Sequence, residues 1–167
     1  SWAVGMGSSS WDTGYAITAD GVGGASFVTG SFEGTVNFGT TTLTSAGDKD
    51  IFVARLDGVG SVSWAVSMGG SGSTASGRGI AADGVGGALV VGHYEGTATF
   101  GSTTLTSAGG ADIFVARLSG AGNVSWAVSM GGSGSPERGS GIVADGAGGA
   151  SFVTGYFRTT ATFGSTT

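Results

Sequence analysis

Several residue types are absent or scarce in this chain. It has no cysteine, one proline and one histidine among its 167 residues. The lack of cysteine excludes disulfide bonds, thiolate chemistry and zinc sites with cysteine ligands. The six Lys and Arg residues form no cluster, which argues against nucleic acid as a partner. No apolar run approaches the roughly 18 residues needed to cross a bilayer, so we expect no membrane span.

Small and hydroxylic residues are abundant instead. Gly, Ser and Thr occupy 80 of the 167 positions, whereas Val, Ile, Leu and Phe occupy 35. A disordered chain would carry more than 10% charged residues and fewer aromatic residues than this one. The composition therefore favours a folded, turn-rich all-β protein.

An internal repeat is the main feature of the sequence. The segment Ser-Trp-Ala-Val at Ser1 recurs at Ser63 and Ser125, with a step of 62 residues each time. The segment Asp-Ile-Phe-Val-Ala-Arg-Leu at Asp50 recurs at Asp112 with the same step. We therefore treat the chain as a single repeat domain, with copies at 1–62, 63–124 and 125–167, the last of them incomplete.

Each copy predicts two tight β-hairpins. Residues 62–68 alternate between large apolar and small side chains, which is the period-two pattern of a strand. Asp-Gly turns at Asp57 and Asp83 join apolar runs, and glycine supplies the positive φ that tight hairpin turns need. A Thr-rich stretch, 97–109, is expected to form a further hairpin around Gly101.

Four antiparallel strands per copy predict the blades of a β-propeller, each a four-stranded sheet built from a repeat of 62 to 63 residues. The runs 89–91 and 113–116 are apolar on successive residues, which predicts strands covered on both faces. A β-solenoid or an open repeat array is the alternative fold. The residues expected to be buried are Trp64, Val66, Met68, Ile80, Leu89, Ile113, Phe114 and Val115.

Motifs within the repeat carry a family resemblance. Ala-Asp-Gly-x-Gly-Gly turns begin at Ala19, Ala82 and Ala144, and Val-Thr-Gly-x-Phe runs begin at Val28 and Val153. With the Asp-Ile-Phe-Val-Ala-Arg-Leu repeats, these motifs make the whole chain resemble the bacterial seven-bladed β-propeller repeat family. The resemblance implies surface or secreted modules without a shared catalytic motif.

Catalysis is not expected. A Ser-His-Asp arrangement needs a histidine beside the nucleophile, and the only histidine is His93. Ser31 and Tyr156 stand at the equivalent positions of the other copies, which indicates a tolerated surface site. No nucleophile elbow, phosphate loop or dinucleotide-binding motif is present. We therefore predict a protein that is not an enzyme and has no cofactor.

A calcium site is the alternative interpretation of the repeated turn carboxylates. Asp20, Asp83 and Asp145 each precede glycine, but each turn offers one carboxylate where calcium needs several oxygen ligands. The Gly- and Ser-rich segments 69–73 and 131–135 are similar to a calcium-binding nonapeptide repeat but lack its Asp. Turn hydrogen bonding is the favoured role for these carboxylates, and no metal is predicted.

Two further sets of residues repeat in register. Asp50 with Arg55, and their copies, are interpreted as structural ion pairs or as charges at a strand edge. Trp2, Trp64 and Trp126 are expected to pack in the core between neighbouring sheets.

The residues that differ between copies gather at one end of the predicted sheets. In an up-and-down sheet the tight Asp-Gly and Ser-Gly turns lie at one end, and the long Thr-rich loop and the connection to the next sheet lie at the other. Loops on a rigid scaffold usually carry recognition, although neutral drift is the competing explanation. The candidate ligand-contact residues are Trp11, Asp12, Arg78, His93, Glu137, Arg138 and Tyr156.

The sequence therefore predicts a non-catalytic extracellular or cell-surface module for protein binding or scaffolding. A protein or glycan is expected on the face that carries the long loops, and export is inferred from the resemblance and the Gly, Ser and Thr content. A structural spacer or filament subunit is one alternative. A carbohydrate-binding module that uses Trp11 and Tyr156 as stacking platforms is another.

The strand count predicts open sheet edges at both ends of the chain. An unmatched strand is expected at 1–5 and an unfinished blade at 155–167. Because a propeller needs about four to eight blades, either other copies or the rest of a longer polypeptide would complete the ring. The longer polypeptide is favoured, since the sequence starts and stops inside a repeat.

Overall fold

The protein is all-β, as predicted. The structure, a computed structural model, describes residues 1–21, 23–134, 136–146, 150–158 and 160–163. Within these ranges the chain forms fourteen strands and no helix, so no helix that could cross a membrane occurs in them. The strands are β1 (Thr13–Ala19), β2 (Ser26–Phe32), β3 (Thr35–Phe38), β4 (Thr41–Thr44), β5 (Asp50–Leu56), β6 (Val62–Met68), β7 (Thr74–Ala82), β8 (Ala88–Glu95), β9 (Thr97–Phe100), β10 (Thr103–Thr106), β11 (Asp112–Leu118), β12 (Val124–Met130), β13 (Arg138–Ala144) and β14 (Ser151–Tyr156).

Two four-stranded antiparallel sheets account for most of the fold. The first sheet has the order β1-β2-β5-β6 and the second has the order β7-β8-β11-β12. A short hairpin interrupts each sheet between its second and third strands, β3–β4 in the first copy and β9–β10 in the second. The hairpin expected around Gly101 is therefore confirmed. A further antiparallel pair, β13–β14, repeats the first two strands of each sheet.

Strand pairing is antiparallel within every sheet of the described residues. The parallel pairing that a β-solenoid requires occurs there only as a single bridge between Lys49 and Thr74. The repeat is therefore built from up-and-down antiparallel sheets.

The Asp-Gly turns form the tight hairpins that the sequence predicts. Asp57 Oδ1 accepts hydrogen bonds from the backbone N–H of Val59 at 3.0 Å and of Ser61 at 2.8 Å. Asp83 holds its turn in the same way. The aspartate at each turn thus accepts hydrogen bonds from backbone N–H groups of its own turn.

The hydrophobic core lies between the sheets and on both faces of the second sheet. One cluster joins Phe27 and Val53 of the first sheet to Val90 and Phe114 of the second. Another covers the opposite face of the second sheet with β13. Of the predicted core residues, Trp64 and Val66 are only half-buried. The buried ones are Met68, Ile80, Leu89, Ile113, Phe114 and Val115.

The predicted role of the repeated tryptophans requires correction. Residues 1–5 form no strand, and Trp2 is 52% exposed. Trp64 contacts Phe27 with ring centroids 5.9 Å apart, and its indole lies against Gly122 in the β11–β12 turn. Trp2 lies in the same way against Gly60, which is the counterpart of Gly122 in the β5–β6 turn, 62 positions before it. These tryptophans therefore cover hairpin turns at the surface instead of filling the core.

Neighbouring sheets are linked by a short antiparallel bridge. After β6 the backbone of Gly69 exchanges hydrogen bonds of 3.2 and 2.7 Å with Thr99 in the β9–β10 hairpin. The same bridge recurs between Gly131 and Thr162. The backbone N–H of Ala75 also donates to the carbonyl oxygen of Lys49 at 2.8 Å. The short hairpins thus connect each sheet to the next.

The last strand pair presents an open edge. In the first and second sheets the second strand is paired on both sides, but β14 pairs only with β13 among the described residues. Val153 is 39% exposed, whereas Val90, at the same register position in β8, is fully buried. The unfinished blade expected at 155–167 lies partly outside the described residues, and the unmatched strand expected at 1–5 is not formed.

Candidate functional site

The first strands of the successive sheets carry a β-bulge at the same position. The register shifts between Gly14 and Ala16 in β1, and equivalently around Arg78 in β7 and Ser140 in β13. A bulge turns its extra side chain away from the regular alternation of the strand. The side chains at this position, Tyr15, Arg78 and Ser140, line one open cavity of about 430 Å³.

We call this cavity the bulge pocket. Its lining is completed by two neighbours on β13 and by the last residue of β14. The residues that line it are Tyr15, Arg78, Arg138, Gly139, Ser140 and Tyr156. Its volume falls within the range of roughly 300 to 1,000 Å³ that is usual for small-ligand sites.

Glycine beside the bulge allows the sheets to approach each other. A Cβ atom at Gly77 would collide with the Thr29 side chain on β2, and one at Gly139 would collide with Val91 on β8. The two glycines are equivalent in the repeat. The first strand of each sheet therefore packs on the second strand of the sheet before it, which places the bulge residues side by side.

Two arginines in the bulge pocket have no carboxylate partner among the described residues. The Arg78 guanidinium lies 3.9 Å from the centroid of the Tyr15 ring, and the Nε atoms of Arg78 and Arg138 are buried without a hydrogen-bond partner. In the described part of the chain the arginines in ion pairs are Arg55 and Arg117. The pocket thus holds two uncompensated positive charges in a chain of net charge −5.

His93 lies behind this pair of arginines. It is only 4% exposed, so its interpretation as a tolerated surface residue is wrong. Its strand is central in the second sheet, and His93 pairs in register with Ser76 on one side and Ile113 on the other. Burial, and then the charges of Arg138 and Arg78, lower the pKa of His93 to about 4, so the imidazole is neutral at pH 7.

The candidate loop residues Trp11 and Asp12 lie apart from the bulge pocket. Trp11 is 77% exposed, in agreement with its selection as an exposed contact. Asp12 Oδ2 accepts hydrogen bonds from the Ser8 backbone N–H at 2.6 Å and from the Ser8 hydroxyl at 2.8 Å. Asp12 therefore organises its own loop and borders a smaller cavity of about 110 Å³.

Glu137 is not a ligand-contact residue, which corrects the sequence prediction. Its side chain is fully buried at the position that Ala75, also fully buried, occupies one repeat earlier. Both carboxyl oxygens are shielded from solvent and lie near the Gly132 backbone and the Asp112 side chain. Burial and the neighbouring charge of Asp112 raise the pKa of Glu137 above its ordinary value. The signal available in the sequence was the small apolar residue, Ala75, at the equivalent position of the preceding copy.

The repeated ion pairs also differ from the prediction. Arg55 donates from Nε to Asp20 Oδ2 at 2.9 Å, and Arg117 donates to Asp83 Oδ2 at 3.0 Å from Nε and 2.7 Å from Nη2. Asp50, the expected partner of Arg55, instead accepts a hydrogen bond from the backbone N–H of Ala46. The predicted pairing of Arg55 with Asp50 is therefore wrong: Arg55 forms an ion pair, but its partner Asp20 lies on the β1–β2 turn.

These contacts account for the turn aspartates without a metal. The carboxylates of Asp20 and Asp83 bind arginine, and Asp83 also binds its own turn. Asp145 accepts a hydrogen bond from the Ala150 backbone N–H at 3.0 Å. Across the described ranges, no three His, Asp or Glu side chains are close enough together to hold a metal ion.

Sequence reasoning selected Arg78, Arg138 and Tyr156 but missed Tyr15 and Ser140, which share their pocket. The signal was present in the repeat. The segment from Met6 to Ile17 in the first copy is one residue shorter than the equivalent segments of the other copies. When that gap is placed in the loop, Tyr15 aligns with Arg78.

Comparison with protein-family models and with curated proteins gives no match. The chemistry of the site therefore has to be inferred from its geometry. Two arginines, two tyrosines, a hydroxyl and a neutral imidazole nearby supply hydrogen-bond donors and aromatic faces. Such a set is suited to binding a polar ligand.

Proposed function

We propose that this chain is a non-catalytic recognition module of the β-propeller repeat type, for protein binding or scaffolding outside the cell or on its surface. One observation carries the proposal. The bulge position differs in each copy, as Tyr15, Arg78 and Ser140, while the surrounding frame is repeated, and these differing side chains share one pocket. A constant frame with individual side chains at one site is the usual organisation of a binding surface.

The propeller architecture is supported by how the sheets are arranged. The two four-stranded sheets are antiparallel meanders that stack face to face, and the strands β1, β7 and β13 lie next to one another. In a propeller the first strands of the blades line the central axis. Further copies, from the same polypeptide or from other chains, would then complete the ring by covering the open edge of β14.

The absence of enzymatic activity is supported by the state of His93. A general base works best when its pKa lies near the working pH, and the pKa of His93 is lowered to about 4. Its Nδ1 atom has no hydrogen-bond partner in the part of the chain that the structure describes, so no carboxylate orients the ring there. Location outside the cell is supported by the resemblance to the bacterial propeller repeat family and by the Gly, Ser and Thr content.

A binding screen with matched variants tests this function. The labelled chain is applied to arrays of glycans and peptides, together with the double variant Arg78→Gln/Arg138→Gln and the control Arg158→Gln. Arg158 is exposed and does not line the pocket. We expect the ligands bound by the native chain to be lost with the double variant and retained with the control.

The alternatives give different results in the same screen. A glycan module based on the exposed Trp11 would lose binding with Trp11→Ala and keep it with the double arginine variant. A spacer or filament subunit is favoured by the open edge of β14. That alternative replaces the recognition function if no bound ligand depends on the pocket.

A further inference from the structure

The ligand chemistry of the bulge pocket can be inferred from its charges. The geometry points to a site for one oxyanionic group, a carboxylate, sulfate or phosphate, held between Arg78 and Arg138. This inference rests on the proposed function, since it assigns a ligand class to the same pocket.

The bulge pocket carries positive charge that no acidic residue in its lining compensates. The pocket is lined by two arginines and by no Asp or Glu, although acidic residues outnumber basic ones by eleven to six in the chain. The chain pairs its other partly buried arginines, Arg55 and Arg117, with carboxylates that are 1% exposed. Leaving such donors without an acceptor is unfavourable. Among the described residues no protein group neutralises the two guanidinium groups, and an anion that enters the pocket would do so.

The Tyr15 ring orients the side chain of Arg78. Its guanidinium stacks on the Tyr15 ring at 3.9 Å, which restricts the side chain without neutralising its charge. Because stacking uses the face of the guanidinium, the N–H groups at its edge stay free for hydrogen bonds in the plane. A guanidinium held in this way is suited to a bidentate contact with two oxygens of one anion.

The residues around the two arginines add polar and aromatic groups to the bulge pocket. Ser140 is an exposed residue on the wall of the pocket. His93, whose pKa is lowered by burial and by the charges of both arginines, is neutral at pH 7 and therefore adds no third positive charge. Tyr156 is 43% exposed on the wall of the pocket. The cavity of about 430 Å³ has room for more than the anionic group, so Tyr156 offers an aromatic face to the rest of the ligand.

His93 provides a direct readout, because it is the only histidine in the chain. An anion between the arginines offsets the positive charges that lower the pKa of His93, so its pKa rises on binding. The pKa is measured by NMR titration of the imidazole in sulfate, phosphate or trifluoroacetate, which stay ionised around pH 4, and in sodium chloride at the same ionic strength. The Arg Nε–H signals are followed in parallel at pH 6.5.

We expect a saturable shift with at least one of the three oxyanions beyond that in chloride, on the His93 signal and on two arginine Nε–H signals. Arg138→Gln should weaken binding by about tenfold or more, and Arg158→Gln should leave it unchanged. Comparing glucuronate with glucose, and with inorganic sulfate and phosphate, distinguishes an acidic sugar from a free anion. Equal shifts in all salts, or equal affinity for glucose and glucuronate, would overturn the inference.

The two proposals fail separately. If the array ligands need the pocket but are uncharged, the recognition function stands and the oxyanion site is wrong. If oxyanions bind the arginines but no array ligand depends on them, the oxyanion site stands and the recognition function is wrong.

Discussion

The indole ring of Trp64 lies against Gly122, where a Cβ atom would come within 3.0 Å of the ring. Gly122 also has φ of +84°, in the left-handed region that favours glycine. Position 122 therefore requires glycine for two reasons, its positive φ and the closeness of the indole ring. Only with glycine there can the tryptophan of one sheet cover the turn of the next sheet. The same relationship joins Trp2 to Gly60.

Gly122→Ala should destabilise the fold more than an alanine substitution at a glycine that is needed only for its positive φ. Gly86 is the matched control, since its φ is +95° but no heavy atom lies within 4 Å of its Cβ position. We expect about 1 to 2 kcal/mol of lost stability for Gly86→Ala from backbone strain, and at least about 1 kcal/mol more for Gly122→Ala from the contact with Trp64. Urea unfolding followed by circular dichroism measures both. Equal losses would show that the indole contact is not tight.

Arg117→Ala should cost about 1 to 3 kcal/mol, because it leaves the carboxylate of Asp83 buried without its cationic partner. Lys49→Ala is the control: the carboxylate of its partner Glu33 is 34% exposed, against 1% for Asp83, so the loss of this pair should cost less than about 1 kcal/mol. Chemical denaturation at pH 7 compares the two variants. A larger loss for Lys49→Ala would contradict the assignment.

The contribution of Asp83 should also depend on pH. Burial alone raises its pKa, but hydrogen bonds from Val85, Gly87 and Arg117, with the charge of Arg117, together hold the pKa below the ordinary value of 3.8. A carboxylate with a lowered pKa stabilises the fold fully above its ordinary pKa, and the contribution is lost as the pH falls through the lowered value. The effect of Arg117→Ala should therefore shrink when unfolding is measured below that range. A loss that is constant with pH would be inconsistent with this.

Glu137→Gln should make the protein more stable at pH 7. Because burial raises the pKa of Glu137 in the fold, its stability contribution is full below the ordinary value of 4.5 and is lost as the pH rises through the raised value. The glutamine variant does not ionise, so its advantage should disappear below pH 4.5. Glu95→Gln, at an exposed carboxylate, is the control and should be nearly neutral at both pH values. Lower stability of Glu137→Gln at pH 7 would refute this explanation.

The open edge of β14 should accept a strand with the sequence of β11. A peptide covering Asp112–Leu118 can pair with β14 as β11 pairs with β8, covering Val153 and Phe152, which are 39% and 66% exposed. Hydrogen exchange monitored by NMR should show new protection of the β14 amides when the peptide is added. A scrambled peptide of the same composition is the control. Similar protection by both peptides would argue against strand pairing.

The repeat made the strands and turns predictable, because hairpin sequences such as Asp57-Gly58 specify local structure. The partner of Arg55 was not predictable in this way. Asp20 lies 35 residues away, and the two residues meet only because β2 and β5 become neighbours after the β3–β4 hairpin is inserted. Ion pairs across strands depend on that topology, which local patterns do not encode.

The candidate site was predicted in part for a similar reason. Arg78, Arg138 and Tyr156 were selected because they differ from their counterparts, and variation of this kind does not distinguish an exposed residue from a buried one. His93 and Glu137 vary in the same way but are buried. His93 is buried because its strand, β8, is central in the second sheet. Glu137 is buried because it lies at the junction between sheets.

The backbone bridge between Gly69 and Thr99 has a consequence for how the protein unfolds. Each sheet is tied to the hairpin of the next repeat by paired hydrogen bonds, so melting one sheet also releases an element of its neighbour. Energetic coupling of this kind between adjacent repeats makes their unfolding cooperative. Two sheets joined in this way should denature in a single transition, and added copies should raise the midpoint temperature instead of producing separate transitions.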